Sequence, residues 1–402
     1  MSDISTLMHR IRGWRLDRNA WLTLIMLAMC VILALMPSPF QSPYAQKVTR
    51  VRASVVSVDN SDVQQFGIVR AGDQSVQVLV REGEYKGQAI GASNALLGKM
   101  ETDKMFQVGD EAYLVLDEVS GVVSATAYDH YRLGTEVLLM AVFCVVLIFF
   151  AGWSGFRAII SFVFALLLLW KGLLPVILLG YDPIAAALVM VLVLAAATLA
   201  LVAGANRTAL VAFVGSLLGI LLTMGLSLAL LPPFHLHGAV QPFSETLLYT
   251  GFEGLNLTRL FMAAVFLGAS GAVLDVAIDV STAMNEVIVK RPDLSRSELM
   301  RSGFAVGRNM TSTMVTTLLM AYASSYIALL MVFMAQGVPP INLLNTNYVA
   351  AELFKTVIGS FGLVTVAPFT AVVGGFLYVR HQRQESAAFA ESTPLPDQQP
   401  GL

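Results

Sequence analysis

Charge is what this sequence has least of. Only 13% of its 402 residues are Asp, Glu, Lys or Arg, about half of the ~25% usual in a soluble domain. The formal net charge of −2 supplies no field of one sign, so a partner held by bulk electrostatics, nucleic acid included, is not expected. Cysteine is nearly missing too. Cys30 and Cys144 both sit in apolar runs, which excludes a disulfide scaffold. The patterns GxxxxGK[ST], GxSxG, HExxH and CxxC do not occur. ATP-driven pumping by this chain alone is therefore not expected, and no nucleophile–base set assembles, so the chain is not read as an enzyme. His235 and His237 are two apart but have no convincing third ligand. No cofactor is implied beyond a bound cation.

What is present is apolar: 56% of the residues are hydrophobic and mean hydropathy is +0.71. A bilayer core about 30 Å thick takes about 20 apolar helical residues to cross. About eight stretches fit that rule, near 20–37, 134–152, 157–179, 184–204, 208–231, 259–283, 310–335 and 351–379. The first follows Arg10, Arg12, Arg15 and Arg18, as a signal peptide would. Its apolar run is too long and Pro43-Tyr44-Ala45 is a poor cleavage site, so it reads as an uncleaved anchor. The basic residues orient the spans. With both termini cytoplasmic, Arg157, Arg207, the group Lys290, Arg291, Arg296, Arg301 and Arg308, and then Arg380 and Arg383 all fall inside. The expectation is a multi-pass protein of the plasma (inner) membrane. Residues 38–133 lie outside, 134–380 form seven helices, and 381–402 form a disordered cytoplasmic tail rich in Ser, Pro and Gln. The bilayer itself and a small ion or solute are the expected partners, and a homo-oligomer is compatible.

Residues 38–133 are the one polar block long enough to fold alone. Residues 47–56, 75–80 and 112–116 alternate with period two between Gly, Asp and Asn punctuation, which predicts short strands. Val108-Gly109-Asp110 reads as a turn before a strand. The expected fold class is thus an α-helical polytopic membrane protein of about eight transmembrane helices with a small extracytoplasmic β domain, barrel- or OB-like. A rigid packing platform is the plainer role for that domain, and ligand binding the sharper one.

Several stretches together resemble the YibE/F family of membrane proteins. They are Gly83-Glu84-Tyr85-Lys86-Gly87-Gln88, Asn94 and Val108-Gly109-Asp110 in the outer block, and the run from Gly268 to Ser281 in the sixth span. The seventh span adds Gly307-Arg308-Asn309-Met310 and the run from Thr313 to Tyr322, and the eighth adds Gly359-Ser360-Phe361-Gly362-Leu363 with Pro368-Phe369-Thr370. Thr316 stands where the family pattern leads one to expect Asn. The resemblance implies the membrane topology and, loosely, transport.

An ionisable side chain inside a span is by default a functional hypothesis. Lys171, Asp275 and Asp279 are such residues. Asp275 and Asp279 share a helix face with Thr282 and Glu286, after Gly268 and Gly271. Those glycines suggest a close neighbouring helix, so that the carboxylates face helices rather than lipid. Hard oxygen donors suit a proton, Na⁺, Mg²⁺ or Ca²⁺; if a metal binds, Asp275 and Asp279 would hold it. Asn309, Thr313, Thr316 and Thr317 offer a matching face on the seventh span, although threonines commonly bond back to their own helix. Lys171 precedes Pro175 by four residues, which frees its carbonyl and predicts a kink. Glu352 and Lys355 read as an interfacial pair, and Ser295 with Glu298 as the capping box of a short loop helix. Spans three to five and six to eight would run in opposite senses, which permits an inverted repeat. The reading is an ion- or proton-coupled permease; the alternative is a receptor or assembly scaffold working through the β domain.

Overall fold

The computed structural model of the chain describes residues 20–38, 40, 48–119 and 122–392. The molecule forms two compact units, Gln41–Phe150 and Met1–Phe40 with Ala151–Leu402.

The first unit is built on six strands: β1 (Thr49–Asp59), β2 (Val63–Phe66), β3 (Val69–Val80), β4 (Ala89–Leu97), β5 (Glu111–Val119) and β6 (Val122–His130). They run in the order β1-β5-β6-β4-β3-β2, and an added β1–β3 pairing closes a barrel. Only β4 and β6 pair in parallel. The period-two alternation has its predicted effect. Val51, Ala53 and Val55 of β1, Val76, Val78 and Val80 of β3, and Ala112, Leu114 and Leu116 of β5 point inward as one buried core. Closure removes the edges of the long strands, and the four-residue β2, paired with β3, is left at the margin. At the turn before β5, Gly109 takes a left-handed φ of 96°, which only glycine adopts without strain. Its N–H donates to the Val55 carbonyl at 2.9 Å.

Two polar side chains inside the barrel explain Asn94. Gln74 and Asn94 are both fully buried. Asn94 Nδ2 donates to Gln74 Oε1 (2.9 Å) and to the Lys104 carbonyl (2.7 Å). Gln74 Oε1 in turn accepts from Phe106 N (2.9 Å), while Gln74 Nε2 donates to the Phe106 carbonyl (3.0 Å). The pair thus clamps the β4–β5 loop on the barrel.

The helices are α1 (Ala20–Leu35), α2 (Leu133–Leu168), α3 (Leu174–Leu178), α4 (Pro183–Val202), α5 (Arg207–Leu230), α6 (Ser244–Tyr249), α7 (Leu257–Lys290), α8 (Arg296–Ser324), α9 (Ile327–Ala335), α10 (Pro340–Leu344) and α11 (Asn347–Ser392). In the second unit α7 is the core element: Phe261, Phe266, Val273, Val276, Val280 and Met284 are fully buried. The GxxxG pattern of α5 is where α11 crosses it. A Cβ on Gly215 would lie 2.1 Å from Thr370 Oγ1, and one on Gly362 2.0 Å from Thr223 Oγ1. Small residues here let two backbones meet. At one end α5, α7 and α11 are knotted by polar bonds. Ser281 Oγ donates to the Thr208 carbonyl (2.7 Å), and the Tyr378 hydroxyl donates to the Ser281 carbonyl (3.0 Å).

Among the described residues five helices are long and apolar enough to cross a bilayer, six if a bent pair counts as one span; the expected eight are not reached. The shortfall has three physical sources. The stretch Leu133–Leu178 counts once, although Gly152 breaks it with φ 56° and ψ −128°. Helix α1 has 16 residues, about 24 Å of rise. The seventh stretch is not one rod, because α8 and α9 meet at 67°. The capping box on Ser295 and Glu298 is present, but it opens the 29-residue α8 rather than a short loop helix. Nothing interrupts that helix, since Gly303 and Gly307 are packed against α7 and α11. Helix α11 runs on to Ser392, into the segment expected to be a tail; residues 393–402 lie outside the described ones.

Three substitutions test the helix crossing and the barrel clamp. Gly362→Ala should destabilise the helical unit by about 1–3 kcal/mol through overpacking. Adding Thr223→Ala should recover most of that, read as the thermal midpoint of the purified chain; no recovery would refute the crossing. Asn94→Ala should remove the bonds to Gln74 Oε1 and the Lys104 carbonyl and cost about 1–3 kcal/mol. The expected readout is faster hydrogen exchange at residues 99–107.

Candidate functional site

Helix α7 is capped by Asn256, whose side chain accepts from Arg259 N at 3.0 Å. Arg259 forms an ion pair with Asp182. Asp182 itself caps α4, accepting from Ile184 N (2.8 Å) and Ala185 N (3.0 Å). Burial pushes the Asp182 carboxyl up, but the Ala185 N–H, the Arg259 guanidinium and the Ile184 N–H outweigh it and hold it below the usual carboxylate range. These two residues fix where α7 begins relative to α4.

From there α7 presents one continuous outer face. Gly268, Gly271, Asp275, Asp279, Thr282 and Glu286 are all exposed, while the opposite face is core. The expectation that the carboxylates face neighbouring helices is therefore corrected for the single chain. A Cβ on Gly268 would lie 2.7 Å from the Tyr322 hydroxyl of α8, but around Gly271 there is nothing within 4 Å. A close helix meets the stripe at its start only. Among the described residues no cation pairs with Asp275 or Asp279, and no group of three or more His, Cys, Asp and Glu is placed to hold a metal.

Helix α8 runs antiparallel to α7, its glycines against the buried side of α7 and Tyr322 at the start of the outer face. Gly303 meets Met284, Gly307 meets Val280, and Tyr322 meets Gly268. That register sets Thr313 at the height of Asp275 and Asn309 at the height of Asp279. Asn309, Thr313, Thr316 and Thr317 are exposed as well. Thr313 Oγ1 donates to the Met310 carbonyl (2.9 Å) and Thr317 Oγ1 to the Thr313 carbonyl (3.2 Å). These two hydroxyls are thus engaged on their own helix, which spares them a cost in hydrocarbon. The structure aligns the two predicted faces in height without joining them by a hydrogen bond.

Lys171 belongs elsewhere. Its ammonium donates to the Met36 carbonyl at 3.0 Å, just beyond the C-terminus of α1, where the helix dipole favours a cation. Pro175 cannot supply an N–H to the Lys171 carbonyl, and the backbone widens into a π-helical turn, Leu169–Leu173, closed by Leu174 N to the Leu169 carbonyl. Lys171 is a staple for α1, not a counter-ion for Asp275.

The expected pair of Glu352 and Lys355 forms as an i,i+3 ion pair, with side chains only 18% and 15% exposed. The Lys355 ammonium lies 6.0 Å from the Tyr322 ring centroid, and the Tyr322 hydroxyl and Glu352 Oε2 are buried without a partner. The signal was available in the acid–base spacing of three residues, but depth could not be read without knowing that Tyr322 covers it.

A family model described as YibE/F-like protein matches residues 139–380, more than half of the chain. The chain belongs to the YibE/F-like family. The matched region holds the α7, α8 and α11 motifs and all the candidate residues, whereas the barrel, with Gly83, Gly87 and Asn94, lies outside the YibE/F-like match. No curated protein and no solved structure matches the chain.

The Asp182 pair gives a pH prediction. A carboxyl held low when folded stabilises above its unfolded value of about 4 and loses that contribution as pH falls through the folded value. The thermal-midpoint difference between wild type and Asp182→Asn should be constant near neutrality and shrink below about pH 4. A gap that widens on acidification would refute it.

Proposed function

We infer that this YibE/F-like chain is a multi-pass permease of the plasma (inner) membrane, coupled to protons or another small cation. The observation that carries this is the stripe on α7: two carboxylates four residues apart, well inside an apolar helix, with no cation paired to them among the described residues. A carboxylate at such depth is costly unless it takes a proton, a metal ion or a solute. Polar groups extend along the same α7–α8 seam. Tyr322, beside Lys355 and Glu352, abuts Gly268, which precedes Asp275 by about 10 Å of helix rise. Asp275 and Asp279 would be the cation site, with Thr282 and Glu286 continuing the path and Asn309, Thr313, Thr316 and Thr317 lining its α8 side. The barrel, read as an OB-type domain from its closed order and single parallel pair, would lie outside, with both termini in the cytoplasm.

A second reading rests on a specific observation. In one chain the stripe is open rather than enclosed. An assembly scaffold, or an oligomer whose partner covers α7, would use the same face.

Asp275→Asn separates the two. In reconstituted vesicles the permease reading expects loss of cation-coupled flux with insertion and oligomeric state unchanged. Unchanged flux with altered assembly would overturn it in favour of the scaffold.

A further inference from the structure

A groove of about 790 Å³ runs between α8 and α11, away from the stripe of α7. Along α8 its lining runs from Arg301 past Phe304 to Arg308, then Thr311 and Ser312, with Val315 beyond, and Val364 and Pro368 of α11 form the opposite wall. The two arginines are seven residues apart, so they share a face, separated by about 10 Å. Neither takes part in an ion pair among the described residues, and none of the residues lining the groove is acidic. Thr311 Oγ1 is buried and has no hydrogen-bond partner, a donor left unsatisfied at a cost.

We propose that this groove is a binding site for one anionic phospholipid. The order of the lining matches the order of groups in such a molecule. Arg308 and Arg301 meet the phosphate, Thr311 donates to an ester carbonyl about 5 Å further along, and an acyl chain lies against Val315, Val364 and Pro368. A free anion would leave the apolar end of the groove empty, and a zwitterionic lipid would bring its own cationic headgroup against the two guanidinium groups. Basic pockets between membrane helices bind headgroups on this physical basis. Pro368 of this wall supplies no N–H to the Val364 carbonyl and presents its ring carbons to the groove.

The test uses the full chain in neutral detergent, with phosphatidylglycerol, phosphatidylcholine and inorganic phosphate titrated separately and bound lipid counted by native mass spectrometry. Wild type should retain phosphatidylglycerol over phosphatidylcholine, and Arg301→Gln with Arg308→Gln should weaken it roughly ten- to thirty-fold. A control that removes equal charge, Arg207→Gln with Lys290→Gln, should leave it unchanged. Equal loss in the control would reduce the effect to general charge attraction and overturn the site. So would displacement of the lipid by inorganic phosphate, or no loss in the arginine variant. Should that variant fail to fold, Thr311→Val is the second reading: about five-fold weaker binding is expected for one lost hydrogen bond, and unchanged binding would overturn the proposal.

Discussion

Hydrocarbon does not solvate a carboxylate, and the organisation of α7 follows from that. One side of the helix is a fully buried apolar seam that carries the core of the helical unit. The other carries Asp275 and Asp279 with nothing of opposite charge against them among the described residues. The apolar side explains why the unit holds together. Among the described residues the acidic side forms no ion pair, and a bare carboxylate in hydrocarbon is costly.

Most of the architecture was legible because two periodicities do most of the specifying. Alternation at 47–56, 75–80 and 112–116 became the inward faces of β1, β3 and β5, and long apolar runs became helices. What could not be read was interruption. Gly152 looks like any glycine in an apolar run, yet its φ of 56° ends a helix. The 67° bend between α8 and α9 falls at Ser324 to Ile327, where no proline marks it. A run of hydrophobicity reports solvent preference and is blind to direction, so the span count was the least secure inference.

The site was legible as a list of residues and not as an arrangement. The spacing of Asp275, Asp279, Thr282 and Glu286 put them on one face, and they are on one face. Whether that face is covered depends on neighbours that a single helix does not encode. Gly268 and Gly271 look equivalent in sequence, but only the first has Tyr322 against it. Lys171 illustrates the same limit from the other side. Its place inside a span made it a candidate site residue, while its bond goes to the Met36 carbonyl, an acceptor that composition cannot reveal because every residue has one.

The glycine contacts of α8 carry a mechanical consequence. Gly303 and Gly307 rest on Met284, Val280, Ala367 and Ala371, so the contact is shallow and has few ridges to lift over. Few other α8 side chains are buried, Leu299 and Leu318 among them. Helix α7, by contrast, is pinned through Ser281 to α5 and α11. The small residues of α8 therefore work as a spacer gauge: they set how near it can come to α7 and α11, and any larger side chain there would push the three helices apart.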